Sequence, residues 1–511
     1  KPGAEDLNKF FGYPPALIRP AGSPFGQFVT DPSCLFDHAS QRWFADVLTL
    51  EVNSKTGAFL GPNHLDLAVS NTSNPTGAWT IYRTPVQDDG TQGTPNHHCS
   101  SGGAPGAPTG NGPCLGDYPH LGADANGIYL TTNEYSFFGP EFHGAQLYAF
   151  SKKQLVALPS SIDVTQIDTH GIFGGGLSGF TVWPATSPSG SDGWADDSGR
   201  GVEYFLSSNS AGEAHDTGNG IEIPAPSDHI IVWSLSNTRS LNSSTPAVKL
   251  HHTTVEVGLY AAPPPSNQKK GSTPLAQCLN DTTTVITSLG GIVGCSTVLL
   301  GGPDPFAPNT EYALDSNDTR MQQVTFADGH LWGALDTTLT LKGVNKAAIE
   351  WFVIDPSRED GQLSAETVNH GYLGLAGNNL IYPAIGVTED GKGVMAFTVV
   401  GKNYFPSAGY ATIDEEGVGK IHIAAQGKGP EDGFAGYAVF NAPNPARPRW
   451  GDYGAAVPDG NNIWIASEYI GQTCTFAQYI STPFGSCLAQ GNGARTSLAN
   501  WDTRISLVST S

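Results

Sequence analysis

Positive charge is scarce in this chain: 25 Lys and Arg stand against 47 Asp and Glu among 511 residues, a formal net charge of −22. Nucleic acid or an anionic bilayer would have to approach against like charge, so neither is an expected partner, and neutral or cationic ligands fit better. Sustained helical periodicity is also missing, while 63 Gly and 37 Pro punctuate short apolar runs, which predicts an all-β chain of strands and turns. No run suits a lipid-facing helix. The uncharged stretch Thr283 to Gly302 has the length, but its five Gly, its Ser/Thr and a cysteine read as a loop or strand pair. Nucleophile-elbow, haem-attachment and nucleotide fingerprints are absent, and no helical pattern follows Gly174-Gly175-Gly176, so that triplet reads as a turn.

What is present is a repeat. Asp117-Tyr118-Pro119 leads to Gly127-Ile128-Tyr129-Leu130, Arg320-Met321-Gln322 to His330-Leu331-Trp332, and Asp452-Tyr453-Gly454 to Asn462-Ile463-Trp464-Ile465. The step from Tyr118 to Tyr129, Met321 to Trp332, Tyr453 to Trp464 and Pro32 to Trp43 is eleven residues each time. Polar turns such as Asp124-Ala125-Asn126-Gly127 and Asp328-Gly329 lie between, the chemistry that reverses one strand into the next. Looser copies start at Trp183-Pro184 and Tyr382-Pro383, and third and fourth strands follow most hairpins, as in Ala145–Phe150 and Ile349–Ile354. Four antiparallel strands per unit make a propeller blade. The expectation is a single domain over residues 1–511: a six-bladed β-propeller with loop insertions at 86–116, 188–201, 260–317 and 471–500. A seven-bladed ring is the alternative, because 138 residues separate Trp183 from Met321.

The seven cysteines fall mostly as near neighbours. Proximity pairs Cys99 with Cys114, Cys278 with Cys295 and Cys474 with Cys487, leaving Cys34 as a buried free thiol. Disulfides imply an oxidising compartment, and a chain opening Lys1-Pro2-Gly3-Ala4 reads as a mature form, so a secreted, extracellular setting is expected.

On Arg320–Val324 (Arg-Met-Gln-Gln-Val) and Arg449–Tyr453 (Arg-Trp-Gly-Asp-Tyr) the chain resembles secreted bacterial β-propellers. That resemblance implies the fold and the extracellular setting and carries no activity. The chain departs from named propeller families: it has no Trp-Asp repeat ends and no Tyr-Trp-Thr-Asp copies, and Ser191-Asp192-Gly193-Trp194 is only a fragment of the sialidase box.

Long loops before first strands and after second strands mark one functional face. Asp31, Asp117, Arg320 and Asp452 precede their anchors there, with Tyr118 and Tyr453 as anchors, and Glu134 and Glu468 end second strands on the same rim. Convergent carboxylates suit hydrolysis of a glycosidic bond. The expected catalytic set is Asp117 and Asp452, with Asp31 as alternative, and Arg320, Arg449, Tyr118, Tyr453, Glu134 and Glu468 bind a polysaccharide or glycan. The non-catalytic alternative is a propeller that binds glycan or protein, its acids locking blades together; lactonase or oxidoreductase chemistry is a third option, since fold does not select chemistry. No cofactor is required, and Asp192, Asp196 and Asp197 form a candidate calcium set. His97-His98 shows no second ligand at zinc spacing nearby in sequence.

Overall fold

Turn chemistry sets the strand ends. Asp328 and Gly329 both take positive φ (52° and 77°), the two-residue turn whose twist matches that of the flanking strands. Asp124 makes its turn through the side chain, accepting the backbone N–H groups of Asn126 (2.8 Å) and Gly127 (2.6 Å). The computed structural model describes residues 5–16, 24–102, 110–172, 179–188, 199–215, 224–281, 285–286, 292–293, 312–359, 362–433, 437, 448–480, 487 and 499–510. The chain forms two compact units: Lys1–Leu259, Val324–Leu331 and Ile354–Thr367 in the first, and Tyr260–Gln323, Trp332–Val353 and Val368–Ser511 in the second.

The first unit opens with β1 (Phe28–Asp37), β2 (Arg42–Val52), β3 (Phe59–Ser70) and β4 (Trp79–Pro85), a four-stranded antiparallel sheet in chain order. A second follows from β5 (Cys114–Ala123), β6 (Gly127–Ser136), β7 (Phe142–Ser151) and β8 (Val164–Asp168). Leu65, Leu67 and Val69 pack with Leu121, Leu130 and Phe150 between these two sheets. Next come β9 (Phe180–Thr186), β10 (Val202–Ser208), β11 (Ser227–Ser236) and β12 (Lys249–Tyr260), again in chain order. Their core joins Tyr129 and Leu147 to Phe205 and Trp233.

In the second unit, β13 (Val285–Ile286) and β14 (Ile292–Val293) form a short antiparallel pair inside the uncharged run. Among the described residues of 260–317 there is no four-stranded sheet; a helix, Pro274–Asn280, stands there instead. β15 (Val324–Ala327) lies in the first unit and pairs parallel to β9, Val324 opposite Ala185. β16 (His330–Leu341), β17 (Val344–Glu359) and β18 (Gln362–Leu373) neighbour one another in that order, and the division between units runs through them. The second unit continues with β19 (Asn378–Val387), β20 (Gly393–Gly401) and β21 (Ser407–Asp414), where β22 (Gly417–Val418) and β23 (His422–Ala425) both pair with β21. It ends in a three-stranded antiparallel sheet of β24 (Ala455–Asp459), β25 (Asn462–Ile470) and β26 (Trp501–Ser509). Ala384, Val394 and Ala396 pack on Ala456, Ile463 and Ile465.

First strands share a local device. Asp31, Tyr118 and Tyr382 have φ of 53°, 55° and 57°, each precedes a proline, and the register shifts there (Thr30/Ser33, Asp117/His120, Ile381/Ala384). Proline cannot donate to the ladder, so the strand bulges at that point and the preceding residue absorbs the bend. Thr181 (φ 50°) serves in β9, and Asp452 (φ 66°) just before β24. A left-handed non-glycine residue is strained, and a neighbouring strand's side chain holds it: Asn133 Oδ1 accepts the Thr181 N–H at 2.7 Å. This corrects the expected equivalence of the four charged positions. Asp31 and Asp452 share the left-handed site with Tyr118 and Tyr382, whereas Asp117 lies one residue earlier, opposite Asn133.

One further expectation changes. Cys34 is exposed, not buried. Trp464 is 43% exposed and bonds Asp459 through its indole N–H at 3.1 Å, while Tyr129 and Trp332 are core residues.

Candidate functional site

The second unit holds a cavity of about 280 Å³ built on the β24–β25 hairpin. Along β25, Ile463, Ile465 and Ser467 turn inward, which leaves Trp464, Ala466 and Glu468 on the other face. Ala466 and Glu468 line the cavity, and Thr503, opposite Glu468 on β26, and Trp501, opposite Ile470, complete that side.

Gly451 and Asp452 both have positive φ (65° and 66°), the turn that leads into β24. The Gly451 N–H donates to Glu468 Oε2 at 2.9 Å. Glycine is required here: a Cβ would sit 2.4 Å from Cγ of Tyr382, whose ring packs on this backbone. Trp450 Nε1–H donates to Thr398 Oγ1 (3.0 Å), and the Thr398 hydroxyl donates to the Glu468 carbonyl (3.3 Å). Tyr382, the opposite wall, is fixed by its backbone N–H, which both carboxylate oxygens of the buried Asp336 accept (3.0 and 3.1 Å).

Charge follows from this geometry. Burial pushes the Glu468 carboxyl up to about 7; the Gly451 N–H opposes the shift, and the Asp452 charge adds to it. Asp452 is paired with the exposed Arg449 guanidinium at 2.9 Å. Burial, then the charges of Asp452, Asp315 and Asp336, hold the Tyr382 phenol well above its usual range, so it stays neutral, and its hydroxyl donates to the Asp315 carbonyl at 3.4 Å. The cavity therefore offers a carboxyl that is half protonated near neutrality, a second carboxylate on the adjoining loop, and aromatic rings from Tyr453, Tyr382 and Trp501.

Of the residues expected from sequence, Tyr453 and Glu468 line this cavity, and Asp452, paired with Arg449, lies on the turn between the lining residues Gly451 and Tyr453. Arg320, in the same unit, is engaged twice by Asp318 (2.9 and 2.7 Å) and opposes the acids around Tyr382. Sequence reasoning missed Trp501 and Thr503, whose only signal is their position in the final strand, and Gly451, which stands inside a motif already noticed.

Asp117, Tyr118, Asp31 and Glu134 lie in the first unit. Asp117 is half-buried, Tyr118 is buried edge-on against His120 (4.4 Å), and Asp31 accepts the Thr30 hydroxyl at 2.8 Å. Glu134 is a correction: it is fully buried and stands on no open rim. The loop after β4 folds back over it, fastened by the Cys99–Cys114 disulfide and by Cys114 N–H to Gln87 C=O (2.7 Å). His97 Nδ1 lies 2.9 Å from Glu134 Oε2 and 3.6 Å from Asp88 Oδ2. Burial, first, and the charge of Asp88 raise the Glu134 carboxyl well above its usual range. His97 thus has partners at ligand distance that its sequence neighbourhood does not show. Cys474 bonds Cys487, and Cys278 is also disulfide-bonded; Cys295 lies outside the described residues, as do Asp192, Asp196 and Asp197.

No protein-family model matches the chain, and no curated protein matches it. Among solved structures it is similar to a Trypanosoma rangeli sialidase in complex with sialic acid at 8% identity and a TM-score of 0.34, covering 89% of this chain and 56% of that one. The chain therefore spans little more than half that sialidase. It is also similar to an ulvan lyase of a polysaccharide lyase family (9%, TM-score 0.30, covering 94% and 78%) and to a Bacteroides ovatus glycosyl hydrolase (10%, 0.28, 78% and 87%). No helix among the described residues is long and apolar enough to cross a membrane.

Proposed function

We infer that the chain is an extracellular carbohydrate-active enzyme, a glycoside hydrolase built as a six-bladed propeller, with Glu468 as general acid. One observation carries the reading: a carboxyl raised to about 7 lines a cavity of about 280 Å³ that also presents Tyr453, Tyr382 and Trp501. A carboxylic acid still protonated near neutrality can protonate a glycosidic oxygen, and a second carboxylate that stays ionised supports the developing positive charge. Asp452 takes the second role, paired with Arg449 at 2.9 Å. Tyr453 and Trp501 supply apolar faces for a sugar ring. This reading moves the acid from Asp117 to Glu468, so that both carboxylates belong to one unit. The disulfides support an oxidising, extracellular setting.

The Arg449–Asp452 and Arg320–Asp318 pairs favour a second reading, a propeller that binds glycan without cleaving it, because they satisfy these charges without substrate. Incubation with a panel of polysaccharides and small glycosides, with products read by mass spectrometry, separates the two. Product from the parent protein and none from an equally folded Glu468→Gln variant supports the hydrolase. Saturable binding with no product from either protein rejects it in favour of the binding propeller, and equal turnover by both removes Glu468 from the chemistry.

A further inference from the structure

We propose that Asp88, His97 and Glu134, all in the first unit and none of them lining the cavity at Glu468, form a binding site for one divalent transition-metal ion of the zinc class. One ligand atom from each of the three lies within 4.8 Å of the others. His97 Nδ1 is 2.9 and 3.1 Å from the two Glu134 oxygens and 3.6 Å from Asp88 Oδ2. Donors around a tetrahedral zinc with bonds of about 2.0–2.2 Å stand roughly 3.4 Å apart, so small side-chain movements would complete the site.

The surroundings are those of a ligand set. Gln166 Nε2 donates to Asp88 Oδ2 at 2.6 Å, and Gln146 Nε2 donates to Glu134 Oε2 (3.3 Å) and to Asp168 Oδ1 (2.8 Å). Such outer amides orient carboxylate ligands. The remaining Asp88 oxygen, Oδ1, has no hydrogen-bond partner although the residue is fully buried. A buried carboxylate oxygen without a donor costs free energy that a cation would recover. Two buried carboxyl groups, Asp88 and Glu134, thus converge on one imidazole.

The chain holds this geometry in advance. His97 N–H donates to the Asp88 carbonyl at 2.8 Å, Asp89 and Asn96 form a bridge, and the Cys99–Cys114 disulfide closes the loop two residues further on. The His97 side chain is 16% exposed, which leaves a route for the ion. Imidazole beside two carboxylates suits zinc and its neighbours, whereas calcium takes oxygen ligands. The ion would clasp the loop after β4 to β6.

The test uses the full chain freed of metal by chelator and titrated calorimetrically with Zn²⁺, with Co²⁺ absorption as a second probe. The expected result is one ion per chain, visible Co²⁺ bands, and affinity weakened roughly 100-fold or more in His97→Ala, with His98→Ala as a control that leaves binding unchanged. No stoichiometric Zn²⁺ binding overturns the proposal, as does binding that His97→Ala and Asp88→Asn both leave intact. Should Asp88→Asn fail to fold, the partly exposed His97 and the Co²⁺ spectrum of the parent decide.

Discussion

Glu134 and Glu468 each stand near the end of a second strand, each followed by tyrosine, in Thr132-Asn133-Glu134-Tyr135 and Ala466-Ser467-Glu468-Tyr469. One is sealed and the other opens on a cavity. Above Glu134 a disulfide-closed loop delivers His97 and Asp88; beside Glu468 the Gly451-Asp452 turn delivers a backbone N–H and a neighbouring negative charge and leaves space. Both carboxyls are raised by burial, yet the neighbours differ: an imidazole and amides in one case, aromatic rings in the other. A motif repeated in the chain therefore becomes two kinds of site according to the loop that covers it.

Exchanging carboxyl for amide separates the two most sharply. Glu468→Gln is expected to lower turnover by about 10²–10⁴-fold, the usual worth of a positioned general acid, with little change in the denaturation midpoint. Glu134→Gln is expected to leave turnover intact and to act on loop stability and metal affinity.

The first unit also depends on a buried ion pair, Lys152 Nζ to Asp37 Oδ1 at 2.6 Å. Lys152→Ala strands a buried carboxylate and should cost about 3–5 kcal/mol in a urea titration; a loss below 1 kcal/mol would show that water reaches Asp37. Cys99→Ser/Cys114→Ser should cost about 3 kcal/mol by freeing the loop in the unfolded chain. Calorimetry of that variant should also show weaker Zn²⁺ binding while product release persists.

Gly451→Ala probes the open site. The added methyl must displace the Tyr382 ring from a backbone at φ 65°, for about 1–3 kcal/mol and a raised KM. An unchanged KM would mean that the ring does not shape the substrate site.

The smallest effect is on pH. Asp46 and Glu468 are both raised to about 7, by burial first, from unfolded values of 3.8 and 4.5. The folded protein then holds protons that the unfolded chain releases, so their contribution is full below about pH 4 and is lost as pH rises toward 7. Chemical denaturation across that window should show the decline, and Asp46→Asn should flatten part of it. Turnover should fall above about pH 7 as Glu468 loses its proton.

Hairpin positions were legible because turn residues and alternating apolar residues act locally, whereas the parallel pairing of β9 with β15 and the three-stranded last sheet depend on partners distant in sequence and were not. The eleven-residue step marks real hairpins, and near-neighbour cysteines mark Cys99–Cys114 and Cys474–Cys487. Register at the bulges was not legible. Asp31 and Asp117 look alike beside their anchors, but only a bulge that pairs two residues with one makes Asp31 left-handed and leaves Asp117 in the ladder.

The chain by itself determined its all-β character, its turns and the residue types available for chemistry, since these follow from side-chain alternation and backbone preference over a few residues. Only the tertiary structure decided which carboxyls keep water. Burial and field depend on what packs over a side chain, and the groups that settle Glu134 and Glu468 come from His97, 37 positions away, and Tyr382, 86 positions away.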